Sequence, residues 1–364
     1  MQEKVFDESV GQQTAQTDII KCFGCGSNME FNPESQKLEC PHCGNTQDVE
    51  AVGRAREFDL EAGLFSMPKW EKEDTVVFKC DNCGAKVVLE SGQSSADCPF
   101  CGTPHVRKTE ELAGIKPNAV LPFTFGKDKA LELVKTWAKR KWFAPKAFKK
   151  NLNAQNLKGV YAPCFTFDSA TISTYYGRIG KTRTKVVGSG KNKRTVTYVV
   201  WRNISGTFKY KFDDILVTAG SKFTQKELNS VSPFNTNQSK EYNKEYLLGF
   251  MAYHYDKDIS VCWENAKTSI DQDLRRRILM QYSHDKVAYL NVNTSYADLT
   301  YKYVMLPIYV GNFSFKQKLF NFFVNGNTGR VNGKTPKSLV KIGFALLGVI
   351  AIIIGVFLLA SGLG

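Results

Sequence analysis

Cys22-x-x-Cys25 is followed, after fourteen intervening residues, by Cys40-x-x-Cys43, and the same pattern recurs as Cys80-x-x-Cys83 and Cys98-x-x-Cys101. Each cysteine of the second quartet lies 58 positions after its counterpart, and Lys21, Gly26, Pro41 and Gly44 reappear as Lys79, Gly84, Pro99 and Gly102. This is a duplicated module. Two residues between cysteines allow a tight turn that aims two thiolates at one point. The glycine after each pair relieves the backbone as its amides approach sulfur. Two such knuckles joined by a short β-hairpin complete a closed tetrahedral site. The pattern predicts two structural Zn2+ sites, one held by Cys22, Cys25, Cys40 and Cys43 and one by Cys80, Cys83, Cys98 and Cys101. An iron–sulfur cluster or a redox pair would use the same ligands, but repetition of both paired knuckles favours zinc. Metal binding contributes on the order of 10–16 kcal/mol, which a module this small cannot draw from its own core. His42 and His105 read as surface residues beside sites already filled. Cys164 and Cys262 read as small buried hydrophobes.

The second constraint is at the other end. Residues 342–363 carry no charge, and at 1.5 Å per residue they extend roughly 33 Å, enough for the hydrocarbon core of a bilayer. Lys334, Lys337 and Lys341 precede the run and no charge follows it. The positive-inside rule then predicts a single-pass cell-membrane protein whose N-terminal body is cytoplasmic. Residues 1–17 have no apolar core and do not read as a secretory signal. The net charge of +14 stays basic, at about +10, once two tetrathiolate zinc sites are counted. Such a balance suits anionic lipid or nucleic acid without naming either.

Between these features lies enough sequence for a sizeable core, given 364 residues of which 43% are apolar. Residues 128–143 read as an amphipathic helix stopped by Pro145, with Leu131, Val134, Ala138 and Trp142 on one face and Leu133 and Trp137 widening it. Its other face is basic and ends in Lys139, Arg140 and Lys141, a candidate contact for anionic lipid or simply a solvated face. From Tyr161 the pattern turns to strands, including residues 195–201 and the alternating Phe208, Tyr210 and Phe212. Residues 181–194, centred on Gly188-Ser189-Gly190, read as a long basic hairpin. Its Lys181, Arg183, Lys185, Lys191, Lys193 and Arg194 are candidates for phosphate of lipid or nucleic acid, or for water alone. Ile259, Cys262, Ala266, Ile270, Leu274 and Ile278 mark a helical stripe, extended by Trp263 and Tyr282, that should pack across a sheet. Residues 285–324 return to strands, and residues 325–329 form the last turn. The predicted layout is a polar arm (1–20), a first ribbon (21–48), a linker able to hold a short helix (49–78) and a second ribbon (79–106). A mainly antiparallel α+β domain (107–335) and a transmembrane helix (342–363) complete it.

Several catalytic readings are excluded. Gly333-Lys334-Thr335 is not a phosphate-binding loop, because Gly329 stands too close and Pro336 follows. There is no zinc-hydrolase helix, serine elbow or kinase set, and the four histidines are scattered. A non-enzyme is expected.

The ribbons resemble the transcription-factor-IIB type. Together with Gly159-Val160-Tyr161-Ala162-Pro163, the basic β region and Val324-Asn325-Gly326-Asn327-Thr328-Gly329 before the apolar run, the whole layout is similar to the bacterial, tail-anchored, YdjG-like zinc-ribbon family. Such ribbons also attract a primosomal or helicase-like label, which no motor motif here supports. In the family pattern a tryptophan follows soon after the Gly-x-Tyr-x-Pro proline, whereas this chain has Cys164 and Phe165. The resemblance implies a non-enzymatic membrane component working with other proteins, such as SPFH-domain scaffolds and phage-shock-type membrane-stress machinery. The expectation is therefore a membrane-anchored adaptor that binds partner proteins. The alternative is a tethered nucleic-acid-binding ribbon protein, which is disfavoured by the lack of a stacking platform among the basic residues.

Overall fold

The structure is a computed structural model that describes residues 20–65, 76–80, 86–89, 98, 106–109, 117–150, 157–315 and 318–360. β1 (Glu30–Asn32), β2 (Lys37–Glu39) and β3 (Thr46–Asp48) form a three-stranded antiparallel sheet that carries the first cysteine quartet. The chain then enters a second sheet of twelve strands. Within the stretch expected to link the two modules, β4 (Phe58–Asp59) leads into the short helix α1 (Leu60–Phe65). β5 (Val76–Cys80), β6 (Lys86–Leu89) and β7 (Val106–Thr109) follow, then β8 (Ala119–Val120). After α2 (Lys127–Lys139) and α3 (Lys146–Lys150) come two long partners, β9 (Leu157–Val187) and β10 (Arg194–Thr218). α4 (Gln225–Val231), β11 (Lys240–Glu241) and β12 (Met251–Tyr253) precede the helix α5 (Ile259–Met280). β13 (Lys286–Phe315), β14 (Lys318–Asn325), β15 (Val331–Gly333) and α6 (Leu339–Ala360) complete the chain.

β9 and β13 run antiparallel along nearly their whole lengths and form the spine of an α+β fold. β10 pairs with the other edge of β9, from Thr218 opposite Cys164 to Arg194 opposite Val187. β14 pairs with the far edge of β13, and β4 pairs there at Phe58 opposite Tyr301. β8 on β13 and β12 on β9 are parallel; the remaining pairs are antiparallel. Through β12, β6 and β5 the strands of the second cysteine module join this same sheet.

Period-two alternation along the spine sorts side chains by size. Tyr161, Phe165 and Phe167 of β9 and Tyr301, Tyr303 and Tyr309 of β13 face one core, where α2, α5 and the first cysteine module pack. Val160, Ala162 and Cys164 with Val304, Leu306, Ile308 and Val310 face the other, against α4, Cys80 and Cys98. Further along β9 only one side is covered: Ser173, Tyr175 and Ile179 are buried, while Ile172, Tyr176 and Arg178 are exposed. α5 covers that side, and its buried residues are the predicted stripe with Trp263 included. Cys164 and Cys262 are both wholly buried, and burial pushes both thiols up.

α2 ends earlier than its pattern suggests. The N–H groups of Arg140 and Lys141 turn back to the carbonyls of Trp137 and Ala138, a tightened last turn that stops the helix before Pro145. Ala130, Val134 and Ala138 form its buried face. Trp142, expected on that face, lies beyond the helix and is 76% exposed.

The family-like motifs have structural explanations. Gly159 lies against the Phe250 ring, which a Cβ there would approach to 2.4 Å. Tyr161 is fully buried against Phe123 and Phe250. Asn325, also fully buried, donates to the Val231 and Pro233 carbonyls and accepts from the Asn327 and Thr328 N–H groups. It therefore locks the turn of the β14–β15 hairpin onto the end of α4. Gly333 lies in β15 and the Lys334 N–H donates to Asn321, so no phosphate loop forms.

α6 holds a 19-residue segment, Leu339–Phe357, with a mean hydropathy of 2.7 and none of it buried, long and apolar enough to cross a membrane. It starts three residues before the expected span, and residues 361–364 fall outside the described residues.

Candidate metal centre and charged clusters

Both knuckles of the first module are built alike. The Gly26 N–H donates to the Cys22 carbonyl and the Cys22 N–H to Ser27, at 2.9 and 2.8 Å. Gly44 to Cys40 and Cys40 to Asn45 repeat those bonds at 2.9 and 2.8 Å. Such a turn needs a left-handed residue, and Gly26 and Gly44 have φ of 74° and 76°. The Gly24 N–H points at the Cys22 sulfur from 3.4 Å. The β1–β2 hairpin then brings the two knuckles together.

The four sulfurs lie within 4.8 Å of one another, with Cys22 to Cys43 and Cys25 to Cys40 each at 3.5 Å. A tetrahedral Zn2+ with bonds near 2.3 Å places its sulfurs roughly 3.8 Å apart, so the cluster has the dimensions of a four-thiolate metal site. Cys22 and Cys40 are buried, whereas Cys25 and Cys43 are exposed. The thiols differ electrostatically. Backbone hydrogen bonding from Cys25 lowers Cys22 to about 6, and hydrogen bonds from Ser27 lower Cys25. A backbone bond from Asn45 works to lower Cys43, but its thiol neighbours, Cys22 foremost, outweigh it and push Cys43 to about 12. Four thiols this close do not ionise together without a cation among them.

Of the second quartet, Cys80 and Cys98 are described and both are buried; Cys83 and Cys101 lie outside the described residues. His42 is exposed, as expected, and His105 is not among the described residues.

The basic candidates divide into two groups at opposite ends of β9. Lys139 ends α2 and Arg140 and Lys141 follow it directly; Phe148 of the neighbouring α3 packs on Phe313 near the start of β9. Lys181, Arg183 and Lys185 lie near its far end, with Lys191 and Lys193 in the turn and Arg194 opening β10. The register places Lys181, Arg183 and Lys185 on the same hairpin face as Arg194, Tyr198, Val200 and Arg202. The opposite face carries Thr182, Thr184, Val186, Thr195, Thr197, Val199 and Trp201, all uncharged. Lys181, Arg183, Val200, Arg202 and Ser283 line a cleft of about 290 Å³ on the charged face. Lys181 is held there by Ser283 and Asp285. Arg202 escaped the sequence reading because it lies eight residues beyond the basic run; only cross-strand pairing returns it to the group.

Sequence reasoning also missed a charge cluster at the bend of the spine. Bulges in β10 and β13 flank Asp168 of β9, and each holds an aspartate in the left-handed region, Asp214 at φ 50° and Asp298 at 52°. Asp168 and Lys302 are 7% and 6% exposed. Lys302 pairs with Asp214 at 2.8 Å and Glu57 at 3.1 Å; the Asp214 N–H donates to Asp168 at 2.6 Å. Burial is the main reason Asp168 rises to about 7, with Glu57 adding to it. Burial works to raise Glu57 too, but its hydrogen bond with Asp168 and its Lys302 partner hold it below the ordinary value. Burial opposes the Lys302 charge, yet Asp214 and Glu57 keep the ammonium above its usual pKa. Burial and Glu57 thus favour the protonated form of Asp168 up to near neutrality, while the Lys302 ion pairs join β13 to β10 and to the segment before β4, and the Asp214–Asp168 hydrogen bond ties in β9.

No protein-family model matches the chain. No solved structure matches it either. The chain is similar to the uncharacterized protein YdjG of Bacillus subtilis (strain 168), with 25% identity over 337 residues that cover 90% of this chain and 93% of that protein.

Proposed function

We propose that this chain is a membrane-anchored, non-enzymatic adaptor whose zinc modules and α+β body bind partner proteins at the cytoplasmic face of a cell membrane. One observation carries the reading: the same chain holds a four-thiol cluster and, among the described residues, an apolar helix with none of its span buried. In this reading Zn2+ occupies the Cys22, Cys25, Cys40 and Cys43 cluster, and a second ion is held by Cys80, Cys83, Cys98 and Cys101. With all four positions taken by sulfur, the metal shapes a surface and leaves no place for substrate. α6 spans the bilayer with Lys334, Lys337 and Lys341 on the cytoplasmic side. SPFH-domain or phage-shock-type proteins are the partners to seek.

The test is a mild-detergent pull-down of the full-length protein from nuclease-treated native membranes, with co-purifying proteins identified. A stoichiometric membrane partner is the expected result. If none is recovered and the protein binds DNA or RNA tightly in a salt-sensitive manner, the tethered nucleic-acid reading replaces it. The observation behind that second reading is the gathering of Lys181, Arg183, Lys185, Arg194 and Arg202 on one hairpin face.

A further inference from the structure

The turn between α2 and α3 presents two aromatic side chains to the outside. Trp142 is 76% and Phe143 is 45% exposed, and their rings stack with centroids 6.5 Å apart. Neither contributes to the core, which takes Ala144 and Phe148 from the same segment. An exposed Trp–Phe pair costs solvation in water and calls for a partner.

The backbone of this turn is clasped to the foot of α6. The Ser338 N–H donates to the Phe143 carbonyl at 2.8 Å. The Lys341 ammonium donates to the carbonyls of Trp142 and Ala144 at 2.9 and 2.8 Å. The aromatic pair is therefore held at the level where the apolar helix begins. Lys139, Arg140 and Lys146 are exposed around it, as is Lys337 on the other strand of the clasp. No acidic residue occurs in residues 133–157 or after residue 330. Indole and phenyl rings beside lysines, at the end of an apolar span, match the headgroup layer of a bilayer whose lipids are anionic.

We propose that Trp142 and Phe143 insert into the interfacial layer of an anionic bilayer beside α6. They form a second membrane contact that, with Lys139 and Arg140, sets the orientation of the body on the surface. The proposal rests on the reading of α6 as a membrane span. One helix alone leaves the body free to rotate about its own axis; a second contact displaced from that axis removes this freedom.

The test uses the full-length protein reconstituted into phosphatidylcholine vesicles, with and without phosphatidylglycerol, containing lipids brominated near the headgroup. The readout is quenching of tryptophan fluorescence. Of the five tryptophans, Trp142 should supply most of the quenched signal, so Trp142→Phe, at a solvent-exposed position, should lose most of the quenching while the protein still sediments with the vesicles. Phosphatidylglycerol should deepen the quenching of the unsubstituted protein, and Lys139→Glu with Arg140→Glu should cancel that increase. Unchanged quenching in Trp142→Phe, with the protein still in the vesicles, would overturn the wedge and leave the span intact. Equal quenching with and without phosphatidylglycerol would overturn its anionic preference. Failure of the unsubstituted protein to enter the vesicles would overturn the span itself, and the wedge with it.

Discussion

The backbone N–H of Phe31, in the first cysteine module, donates to the carbonyl oxygen of Leu248 in the α+β body across 3.0 Å. Its ring meets that of Tyr246 edge-on at 5.1 Å. The module is thus bonded to the body, and the two should lose stability together. Full-length protein in detergent should contain about two Zn2+ per chain by elemental analysis, and Cys22→Ser about one. Chelation should lower the melting temperature of the whole body by roughly 10 °C, because several kcal/mol of metal-dependent folding energy are lost. A melting curve indifferent to chelator would separate the metal from the stability of the body.

Gly26 and Gly44 offer a cleaner probe of the knuckles. A Cβ at either position would meet nothing within 4 Å, so only the left-handed backbone opposes a side chain. Gly26→Ala and Gly44→Ala should each cost about 1 kcal/mol in the metal-loaded protein. Thermal melts at saturating Zn2+ check this; two neutral substitutions would contradict the turn geometry.

Asp168 gives the pH prediction. Its folded-state value, about 7, lies above the ordinary 3.8, so the folded state keeps a proton that the unfolded chain releases across that interval. The unfolded state binds fewer protons there, and the contribution of this group to stability falls as pH rises from about 4 to 7. Asp168→Asn mimics the protonated acid: its oxygen still accepts from the Asp214 N–H and its amide donates to Glu57. It should leave stability unchanged near pH 4 and add on the order of 1–2 kcal/mol at pH 8. Denaturant titrations at the two pH values measure the difference. A gain of equal size at both would show that the proton is not the cause.

The hairpin prediction separates charge from shape. If the charged face binds polyanion, replacing Arg183, Lys185 and Arg194 with alanine should reduce the slope of log affinity against log salt by about 3 for duplex DNA. Replacing Thr182, Thr184 and Thr197 on the opposite face should leave the slope unchanged. Binding measured across a salt series distinguishes the two faces, and equal effects would discard the segregation as functional.

The long helix α5 was legible because a soluble helix must bury one stripe at 3.6-residue spacing, and Ile259 through Ile278 display it without interruption. The first four-thiol cluster was legible because paired cysteines and following glycines fix a local turn. The end of α2 was not. Trp142 continues the apolar stripe, and only the return of the Arg140 and Lys141 N–H groups to the preceding turn shows where the helix stops.

Local chemistry alone therefore determined the cysteine turns, the hairpin, the helical stripe and the apolar run of α6, since each depends on residues close together along the chain. Tertiary structure decided how distant segments are used. It sends two modules of one cysteine spacing to different cores, Cys22 and Cys40 with the aromatic side of the spine, Cys80 and Cys98 with the small-residue side. It also joins Glu57 and Asp214 to the buried Asp168 and Lys302 in one charge cluster. Their energies depend on strand register and on burial from water, and neither is present in the chain until the sheet has formed.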